Sequence, residues 1–523
     1  MGVYLNPGND KFRRIINSEI YIDKTGLILY TNKVLDTQQQ NICVSRPRRF
    51  GKSMAANMLA AYYSRECDSK ELFKGLKIYE DKNFEKYLNK YDTIFLDMQE
   101  FLSQTENMTE MIELIRKSVL WELTAKYDDI RYFDNSNLTR SLQDIYLNTK
   151  IPFVIIIDEW DCIFREYKNN IDEQRKYLDF LRDLLKDKSY IHLAYMTGIL
   201  PIKKYGTHSA LNMFSEFSMT NPRQLTSYVG FTEDEVNELS ERYNISLSDL
   251  KEWYDGYHFG ENETIYSPKS VVEAVTSGIC DTYWNQTETF EALKMYIELN
   301  IDGLKDAVIS MMSGEKIPVN TATFANDMTT FCTKDDVLTL IIHLGYLGYD
   351  FQAKCVYIPN REVMTEYVNA ISLSQWGGIS VALKNSNEIL EAIWQNKPEK
   401  VASGIEQAHF ETSHIQYNDE NALSYTISLA LYTARNYYTV IREMPTGKGF
   451  ADMVYIPKKR FADKPAIVME LKWNKKAEGA IKQIKEKHYS EQIKAFSGEI
   501  LLVGINYDKK TKKHKCIIEK YQK

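Results

Sequence analysis

Residues 41–62 read N-I-C-V-S-R-P-R-R-F-G-K-S-M-A-A-N-M-L-A-A-Y, and this stretch decides the fold of the first part of the chain. The apolar run Asn41–Val44 predicts a strand, and the Ala- and Met-rich run Met54–Tyr62 predicts a helix. Between them, Gly51, Lys52 and Ser53 match the second half of the pattern G-x-x-x-x-G-K-[ST], although Arg46 occupies the position of its first glycine. A strand, such a loop and a helix together predict a phosphate-binding loop with the helix N-terminus directed at the phosphates.

The loop residues divide into predicted roles around a bound nucleotide, ATP with magnesium. Backbone N–H groups cradle phosphates in such loops, the lysine neutralises charge, and the hydroxyl of Ser53 is predicted to hold the magnesium ion. Arg48 and Arg49 add positive charge to the loop, or they reach a neighbouring subunit of a homo-oligomer. The predicted nucleotide-binding residues of the loop are Pro47, Arg48, Arg49, Phe50, Gly51, Lys52 and Ser53.

A second set of polar residues follows the apolar strand F-V-I-I-I at residues 153–157. We predict that Asp158 holds the magnesium ion through water and that Glu159 polarises the attacking water, which makes Glu159 catalytic. Asp161 either orients this pair or caps the following helix. Thr197, at the end of the next strand in Y-M-T-G, either senses the γ-phosphate or is a simple strand-end hydrogen-bonding residue.

The arrangement of apolar runs predicts an α/β multidomain protein with three parts. Residues 1–215 alternate strands and helices, as expected of a parallel α/β sheet, and the additional strand Thr93–Met98 fits the ATPase branch of P-loop proteins that carries a catalytic glutamate. Residues 216–373 are predicted to be helical, with a helix capped by Thr333 and Gly345 and a following hairpin that suggests a winged helix. Residues 374–523 are predicted to form the third domain. The remaining predicted strands and helices of the first part are Phe153–Ile157, His192–Met196, Thr109–Ala125 and Asp172–Leu185.

The third part carries a carboxylate set suited to a hard metal ion. Asp452 opens one predicted strand, and Glu470 and Lys472 share a face of the next because side chains two residues apart in a strand point the same way. Antiparallel pairing brings Asp452 beside Glu470, and two carboxylates with a backbone carbonyl suit magnesium or manganese. Lys472 is predicted to position water or stabilise charge on phosphorus. Gln483, on the next helix, is predicted to reach the same cluster.

Charge and cysteine usage limit the classes of partner. The chain has a net charge of −7, but residues 453–523 contain 18 Lys and Arg against 8 Asp and Glu, or +10, which leaves −17 for the rest. A basic segment around carboxylates favours a polyanionic substrate, although a solvated lysine-rich surface gives the same composition. Seven scattered cysteines, the lack of a signal sequence and the lack of a long apolar run predict a cytoplasmic protein that does not enter membranes.

At these motifs the chain resembles bacterial AAA-ATPase-like proteins with a C-terminal PD-(D/E)xK nuclease domain. The resemblance extends over nearly the whole chain. It rests on the strings Tyr21–Gly26, Arg46–Ser53, Ile157–Asp161, Met196–Leu200, Tyr254–Phe259, Tyr266–Ser270, Pro445–Asp452 and Glu470–Lys475.

The resemblance implies an ATPase domain followed by a restriction-endonuclease-like domain in which Asp452, Glu470 and Lys472 form the catalytic triad and the two carboxylates hold the metal. It also implies a further carboxylate at Glu420, and it marks Phe450 as a departure from the usual arginine. We therefore expect an ATP-dependent nuclease that acts on DNA rather than RNA. The alternative is a nucleotide-dependent switch or scaffold whose nuclease-like domain binds nucleic acid without cleaving it.

Overall fold

The computed structural model describes residues 2–521 except 203–210, 260–262, 285–289, 300, 326–327, 330, 373–375, 377, 412–419, 447–448 and 487–497. By internal packing the chain separates into two units. Unit 1 comprises Met1–Thr287 and Lys316–Val363, and unit 2 comprises Glu288–Glu315 and Met364–Lys523. The boundaries of the three domains expected from the sequence stay a prediction, and the one at 373–374 lies outside the described residues.

A five-stranded parallel sheet is the centre of unit 1. Its order is β2-β3-β4-β1-β5, so the strand before the phosphate loop and the strand that ends in Asp158 are separated by β4. Every residue of β3 is buried, as expected when helices cover both faces of a parallel sheet. The α/β prediction is confirmed. The strands are β1 (Asn41–Ser45), β2 (Asp92–Asp97), β3 (Phe153–Asp158), β4 (Ile191–Gly198) and β5 (Ser215–Phe217).

Helices surround this sheet, and side-chain caps set where the long ones begin. The predicted helices Thr109–Ala125 and Asp172–Leu185 are present, each one residue longer at its start because Asn107 and Asn170 accept the first free backbone N–H groups. Met98, expected in a strand, begins a helix, since the carboxylate of Asp97 caps it. The helices are α1 (Asp10–Ile16), α2 (Gly26–Val34), α3 (Lys52–Tyr63), α4 (Lys70–Phe73), α5 (Phe84–Tyr87), α6 (Met98–Leu102), α7 (Met108–Lys126), α8 (Leu138–Thr149), α9 (Cys162–Glu166) and α10 (Ile171–Leu185), with a 3-10 helix at Lys77–Glu80.

The remainder of unit 1 contains two small antiparallel sheets and further helices. The hairpin expected after the Thr333-capped helix is present, with shorter strands and a third strand, β9, beside it. Thr333 and Asp336 form the expected capping box, and Gly345 ends the helix at φ 89°. The elements are β6 (Phe231–Thr232), α11 (Glu233–Tyr243), α12 (Leu247–Tyr254), β7 (Tyr257–His258), β8 (Thr264–Tyr266), α13 (Pro268–Ser277), β9 (Ile317–Pro318), α16 (Lys334–Leu344), β10 (Gly348–Asp350) and β11 (Cys355–Tyr357), with a 3-10 helix at Arg223–Tyr228.

Unit 2 is built on a mixed five-stranded sheet of order β12-β13-β14-β15-β16, in which only the β14–β15 pair is parallel. Alternate residues of β14 enter two separate apolar clusters, one on each face of the sheet. Its elements are α14 (Phe290–Ile297), α15 (Leu304–Met312), α17 (Arg361–Ser372, which starts in unit 1), α18 (Gly378–Trp394), α19 (Pro398–Glu411), α20 (Glu420–Ala430), β12 (Tyr438–Thr446), β13 (Gly449–Pro457), β14 (Ala466–Trp473), α21 (Ala477–Glu486), β15 (Ile500–Asp508) and β16 (Lys513–Lys520), with 3-10 helices at Tyr432–Asn436 and Lys459–Phe461. Within the described parts of the chain, no helix combines the length and apolar character needed to cross a bilayer.

Candidate functional sites

The phosphate loop lies at the carboxyl end of the parallel sheet. It leaves β1 after Ser45 and enters α3 at Lys52, so the amino end of α3 and the ends of β3 and β4 meet at one edge. Gly51 has φ 92° and no atom within 4 Å of the place where a Cβ would stand. Its conformation, and not a lack of space, therefore requires glycine. This turn directs the first N–H groups of a twelve-residue helix outward from the sheet edge, which suits an anion.

Lys52 lies deep in this edge, with only 4% of its surface exposed. Its Nζ donates to the carbonyl oxygen of Pro47 at 3.1 Å and lies 3.9 Å from Oε1 of Glu159. Burial lowers the pKa of Lys52, and the carboxylates of Glu159, Asp161 and Asp158 oppose that shift. The nearby carboxylates favour the charged form of this buried ammonium group, which is the form that can neutralise phosphate.

Asp158, Ser53 and Thr197 are brought together as the sequence predicts. The carboxylate of buried Asp158 accepts hydrogen bonds from the hydroxyls of Thr197 and Ser53. Burial is the largest influence on Asp158 and raises its pKa, while the two hydroxyl donors lower it. A hydroxyl and a carboxylate oxygen are hard donors of the kind that magnesium accepts, so the residues present fit this ion.

Glu159 follows Asp158 but turns away from it, because its backbone adopts the left-handed conformation at φ 53°. One carboxylate oxygen faces Lys52, as described, and the other accepts a hydrogen bond from Nη2 of Arg165. Glu159 is 22% exposed, and Arg165 is 10% exposed. A partly exposed glutamate fixed between two cations can face a water molecule at the edge of the site.

Asp161 does not use its side chain to cap α9. Its fully buried carboxylate accepts the backbone N–H groups of Ile199 and Leu200 at 3.1 and 2.8 Å, and Nε of Arg165 lies 3.7 Å away. Burial raises the pKa of Asp161, and the Arg165 charge opposes that shift. Asp161 thus ties the segment after β3 to the segment after β4.

Gly198 leaves room for this tie. A Cβ at Gly198 would lie 2.6 Å from Oδ1 of Asp161 and 2.6 Å from the Trp160 ring, so no larger residue fits at the end of β4 without displacing them. The Y-M-T-G string therefore supplies both the hydroxyl of Thr197 and the space beside it.

Three side chains of the phosphate loop face the protein. Arg46 is fully buried, donates to the carbonyl oxygen of Phe217 at 3.2 Å and lies over the Phe259 ring at 5.1 Å. Burial lowers the pKa of Arg46 to about 10, so the group keeps its charge at neutral pH. The residue that replaces the first glycine thus fixes the base of the loop within unit 1.

Arg49 and Phe50 point into the second half of unit 1. Nη1 of Arg49 donates to the carbonyl oxygen of Tyr283 at 2.8 Å and approaches that of Trp284 at 3.5 Å. The Phe50 ring packs edge-on against Tyr257 at 5.3 Å and against Trp284 at 6.5 Å. Their side chains therefore hold the loop in place and leave phosphate contact to their backbone groups, whereas the side chain of Arg48 is exposed.

The second site lies in unit 2, on β13 and β14. These strands pair antiparallel with Met453 opposite Met469, a register in which the next step places Asp452 opposite Glu470. Oδ2 of Asp452 accepts the backbone N–H of Leu471 at 2.7 Å. The predicted proximity of the two carboxylate residues is therefore present.

Glu470 is 1% exposed and is the centre of a hydrogen-bonded cluster. Its Oε1 accepts from Nζ of Lys472 at 3.0 Å and from Nε2 of Gln483 on α21. Leu471 points to the opposite face of β14, where it joins the larger apolar cluster. The sheet period thus places Glu470 and Lys472 on the α21 side, and Gln483 reaches them as predicted.

The donor set of this second site fits a hard divalent ion that binds through few protein ligands. No group of three or more His, Cys, Asp or Glu side chains within the described chain is arranged to hold a metal ion. Two carboxylates on paired strands and the intervening backbone carbonyl match the way in which magnesium and manganese combine a few protein oxygens with water. The side chains of Glu420 and Phe450 and all of Gly447 lie outside the described residues.

The sequence motifs did not identify Arg165 or Glu362 as residues that support the nucleotide site. Arg165 contacts both Glu159 and Asp161, and its separation of four residues from Asp161 was the available signal. The buried carboxylate of Glu362 accepts the backbone N–H groups of Tyr283 and Trp284 at 2.7 and 2.8 Å, which fixes the carbonyls that Arg49 contacts. No sequence signal links residues that far apart.

Comparison with known families assigns a class to each site. Residues 7–207 match the family described as "Predicted AAA-ATPase", and residues 420–516 match the PD-(D/E)XK nuclease superfamily. The chain thus carries an AAA-ATPase-like domain followed by a PD-(D/E)XK nuclease-superfamily domain, the architecture that the sequence resemblance implies.

Individual relatives are distant. The "uncharacterized protein in vnfD 5′ region" of Azotobacter chroococcum mcd 1 is 22% identical over 280 residues, and the chain spans about half (51%) of the length of this curated relative. Among solved structures, a Walker-type ATPase of Pyrococcus abyssi is 11% identical with a TM-score of 0.35, covering 66% of this chain and 94% of that one. The ORC2 protein of Aeropyrum pernix is 12% identical with a TM-score of 0.32, covering 69% and 97%. Both TM-scores are low, so the fold assignment rests on the strand order and the family matches.

Proposed function

We propose that this protein binds and hydrolyses ATP at the phosphate loop and uses the C-terminal carboxylate set to cleave phosphodiester bonds of nucleic acid, DNA in particular. The observation that supports the proposal is that the predicted residues of each set lie close together in the fold. Lys52, Ser53, Asp158 and Glu159 meet at one sheet edge, and Asp452, Glu470 and Lys472 meet on one strand pair.

At the nucleotide site, the N-terminus of α3 and Lys52 bind the phosphates, and Thr197, which donates to Asp158 at the same edge, contacts the terminal phosphate. Ser53 and Asp158 hold the magnesium ion, which when bound neutralises phosphate charge. Glu159 orients and polarises the attacking water and accepts its proton. Among the other loop residues, Pro47, Gly51 and the backbone of Arg48, Arg49 and Phe50 surround the phosphates.

At the second site, Asp452 and Glu470 hold a magnesium or manganese ion, which when bound supplies Lewis-acid activation of the phosphodiester. Lys472 orients water and stabilises negative charge that develops on the phosphoryl oxygens; its contact with Glu470 supports this role. Gln483 fixes the carboxylate of Glu470 from the helix side. The basic composition of residues 453–523 favours a polyanion as the substrate.

The experiment is a cleavage assay with plasmid, linear duplex DNA and RNA, each with and without ATP and manganese, together with ATP hydrolysis. Lys52→Ala is expected to abolish hydrolysis through loss of phosphate binding, and Glu159→Gln to stop turnover while ATP still binds. Arg175→Ala is a control, since Arg175 is an exposed residue on α10. Unchanged hydrolysis in both site variants would remove the ATPase assignment.

A nucleotide-dependent switch that binds nucleic acid without cleaving it is the second candidate. The observation in its favour is that Asp452 and Glu470 already accept hydrogen bonds from protein donors, which a metal ion must share or displace. Binding of DNA without cleavage of any substrate, in the presence of manganese and ATP, would support the switch over the nuclease.

A further inference from the structure

Arg165 occupies a place in the nucleotide site that the functions assigned above do not use. It lies on the short helix α9, with its guanidinium group between the carboxylates of Glu159 and Asp161. Nη2 donates to Oε2 of Glu159, and Nε lies 3.7 Å from Oδ2 of Asp161. The Arg165 side chain therefore forms a hydrogen bond with Glu159 and an ion pair with Asp161.

Asp161 gives this arginine a rigid support. Its carboxylate is fully buried and is held by two backbone N–H groups that follow β4. The chain around Glu159 is held as well, because the N–H of Trp160 donates to the carbonyl oxygen of Thr197 at 2.9 Å. Through Asp161, Arg165 thus links Glu159 to the segment after β4, and its hydrogen bond to Glu159 is charge-assisted and therefore stronger than a neutral one.

The other cation near Glu159 cannot hold it during hydrolysis. Lys52 lies 3.9 Å from Oε1 of Glu159, but the proposed function requires its ammonium group at the phosphates. A lysine that turns to phosphate oxygens gives up part of its attraction for the glutamate. The proposed function assigns Arg165 no contact with phosphate, so Arg165 is the cation that stays on Glu159 when water has to be aligned.

We propose that Arg165 is a positioning residue for ATP hydrolysis, which holds the Glu159 carboxylate in the orientation that aligns the attacking water. The inference rests on the proposed ATPase function. Arg165 acts through Glu159, so its loss lowers the turnover rate and leaves the affinity for ATP nearly unchanged. A catalytic group that is misplaced by about 1 Å loses on the order of 100-fold in rate.

The test measures kcat and KM of ATP hydrolysis and ATP affinity for the full chain, as Arg165→Ala, as Arg165→Lys and as the control Arg182→Ala. Arg182 lies on α10 and pairs with Asp179 at 2.8 Å in a half-exposed contact. We expect Arg165→Ala to lower kcat by about 10- to 100-fold with ATP affinity within about 3-fold of the wild type. Arg165→Lys should recover part of the rate because it restores a positive charge, and Arg182→Ala should match the wild type.

A double-variant cycle distinguishes positioning from a general loss of structure. If Arg165 works through Glu159, adding Arg165→Ala to Glu159→Gln should change the residual single-turnover rate by less than about 2-fold, because residues that act as a unit are not additive. Independent, multiplicative losses would overturn the proposal, as would equal losses in ATP affinity and kcat. If Arg165→Ala does not fold, the same cycle with Arg165→Lys decides.

The proposed ATPase function and the proposed role of Arg165 can be rejected separately. A wild-type protein that does not hydrolyse ATP removes the proposed ATPase and the role of Arg165 together. A wild-type protein that hydrolyses ATP, with an Arg165→Ala variant that keeps the wild-type kcat, removes the role of Arg165 alone.

Discussion

Asp158 and Glu159 are consecutive residues, yet their carboxylates contact different groups because the backbone changes conformation between them. Asp158 ends β3 in extended geometry and meets the hydroxyls of Ser53 and Thr197. Glu159 adopts φ 53°, which costs a residue with a side chain on the order of 1 kcal/mol or more. The contacts of Glu159 with Lys52 and Arg165 offset this cost, and the two carboxylates can serve the metal and the water separately.

At the second site, the two carboxylates and the lysine should lose function in different ways. Asp452→Ala and Glu470→Ala each remove a proposed metal ligand, so both should abolish cleavage and manganese binding. Lys472→Ala should lower the cleavage rate by about 100-fold or more while manganese affinity changes less, since the lysine acts on charge in the transition state. Calorimetric titration with manganese beside cleavage rates tests this, with Lys485→Ala as the control because Lys485 is exposed and pairs with Glu519. Equal loss of manganese affinity in all three variants would contradict the assignment of Asp452 and Glu470 as metal ligands and of Lys472 as a residue that acts on transition-state charge.

Two buried histidines give unit 2 a dependence on pH. His409 and His514 pack edge to face at 5.0 Å, and both contact Tyr507. Burial lowers the pKa of His409 to about 4, and burial with the nearby His409 lowers that of His514 to about 3. The unfolded chain binds these protons near pH 6.5 and the folded chain does not, so this stabilisation is complete above pH 6.5 and is lost as the pH falls towards 4.

We therefore expect His514→Phe, which keeps an aromatic ring beside Tyr507, to reduce the loss of stability on acidification. The free energy of unfolding should depend on pH less steeply by up to about 1.4 kcal/mol per pH unit between pH 6.5 and 4.5, the effect of one proton. Urea unfolding at a series of pH values measures this, with the exposed His258→Phe as the control. A pH dependence equal to that of the wild type would show that His514 does not titrate in this way.

At the scale of elements, the phosphate loop is joined to the second half of unit 1. Arg49 contacts the carbonyls of Tyr283 and Trp284, whose N–H groups are held by Glu362. Gly345, at the end of α16, leaves room for Pro47, since a Cβ there would lie 2.7 Å from the Pro47 side chain. The loop therefore packs against both the end of α16 and the segment around Tyr283 and Trp284.

Two adjacent arginines allow a matched test of this connection. Arg49→Ala should lower the free energy of unfolding by about 1–3 kcal/mol, because it leaves buried carbonyl groups without their charged donor. Arg48→Ala, at an exposed position, should change it by less than about 0.5 kcal/mol. Chemical unfolding of the two variants decides; equal effects would mean that Arg49 is not a structural link.

The sequence predicted a helix well where capping residues mark both of its ends. The helix α16 was predictable because Thr333, Asp336 and Gly345 act through neighbours close in sequence. The strands β5, β12, β15 and β16 were not predicted; the apolar run of β15 was an available signal, whereas β16 alternates exposed and buried residues around lysines, which resembles a solvated surface. In the sites, the structure brings motif residues close together, whereas the contacts of Arg165 and Arg49 depend on tertiary packing that the motifs do not show.

At the scale of the whole molecule, charge is distributed unevenly between the two functions. Residues 453–523 carry +10, while the preceding part of the chain carries −17. A basic nuclease-like segment in an otherwise acidic chain confines the attraction of a polyanion to the part of the chain with the proposed cleavage site. We therefore expect binding of DNA to weaken steeply with salt and binding of ATP, which depends on a small buried site, to weaken less.

The last prediction is that ATP and DNA binding are coupled. Binding at one proposed site can influence the other only if ATP and DNA favour the same conformation, and such coupling is reciprocal by thermodynamic necessity. DNA should therefore tighten ATP binding by the same factor by which ATP tightens DNA binding, about 5- to 150-fold for a coupling of about 1–3 kcal/mol. The measurement uses Glu159→Gln, which should bind ATP without consuming it, at one fixed salt concentration with and without DNA. Lys52→Ala is the control, since a protein that does not bind ATP should bind DNA equally in its presence and absence. Identical ATP affinities of the Glu159→Gln protein with and without DNA would show that the two sites bind independently, and the nuclease would then need a trigger other than nucleotide binding.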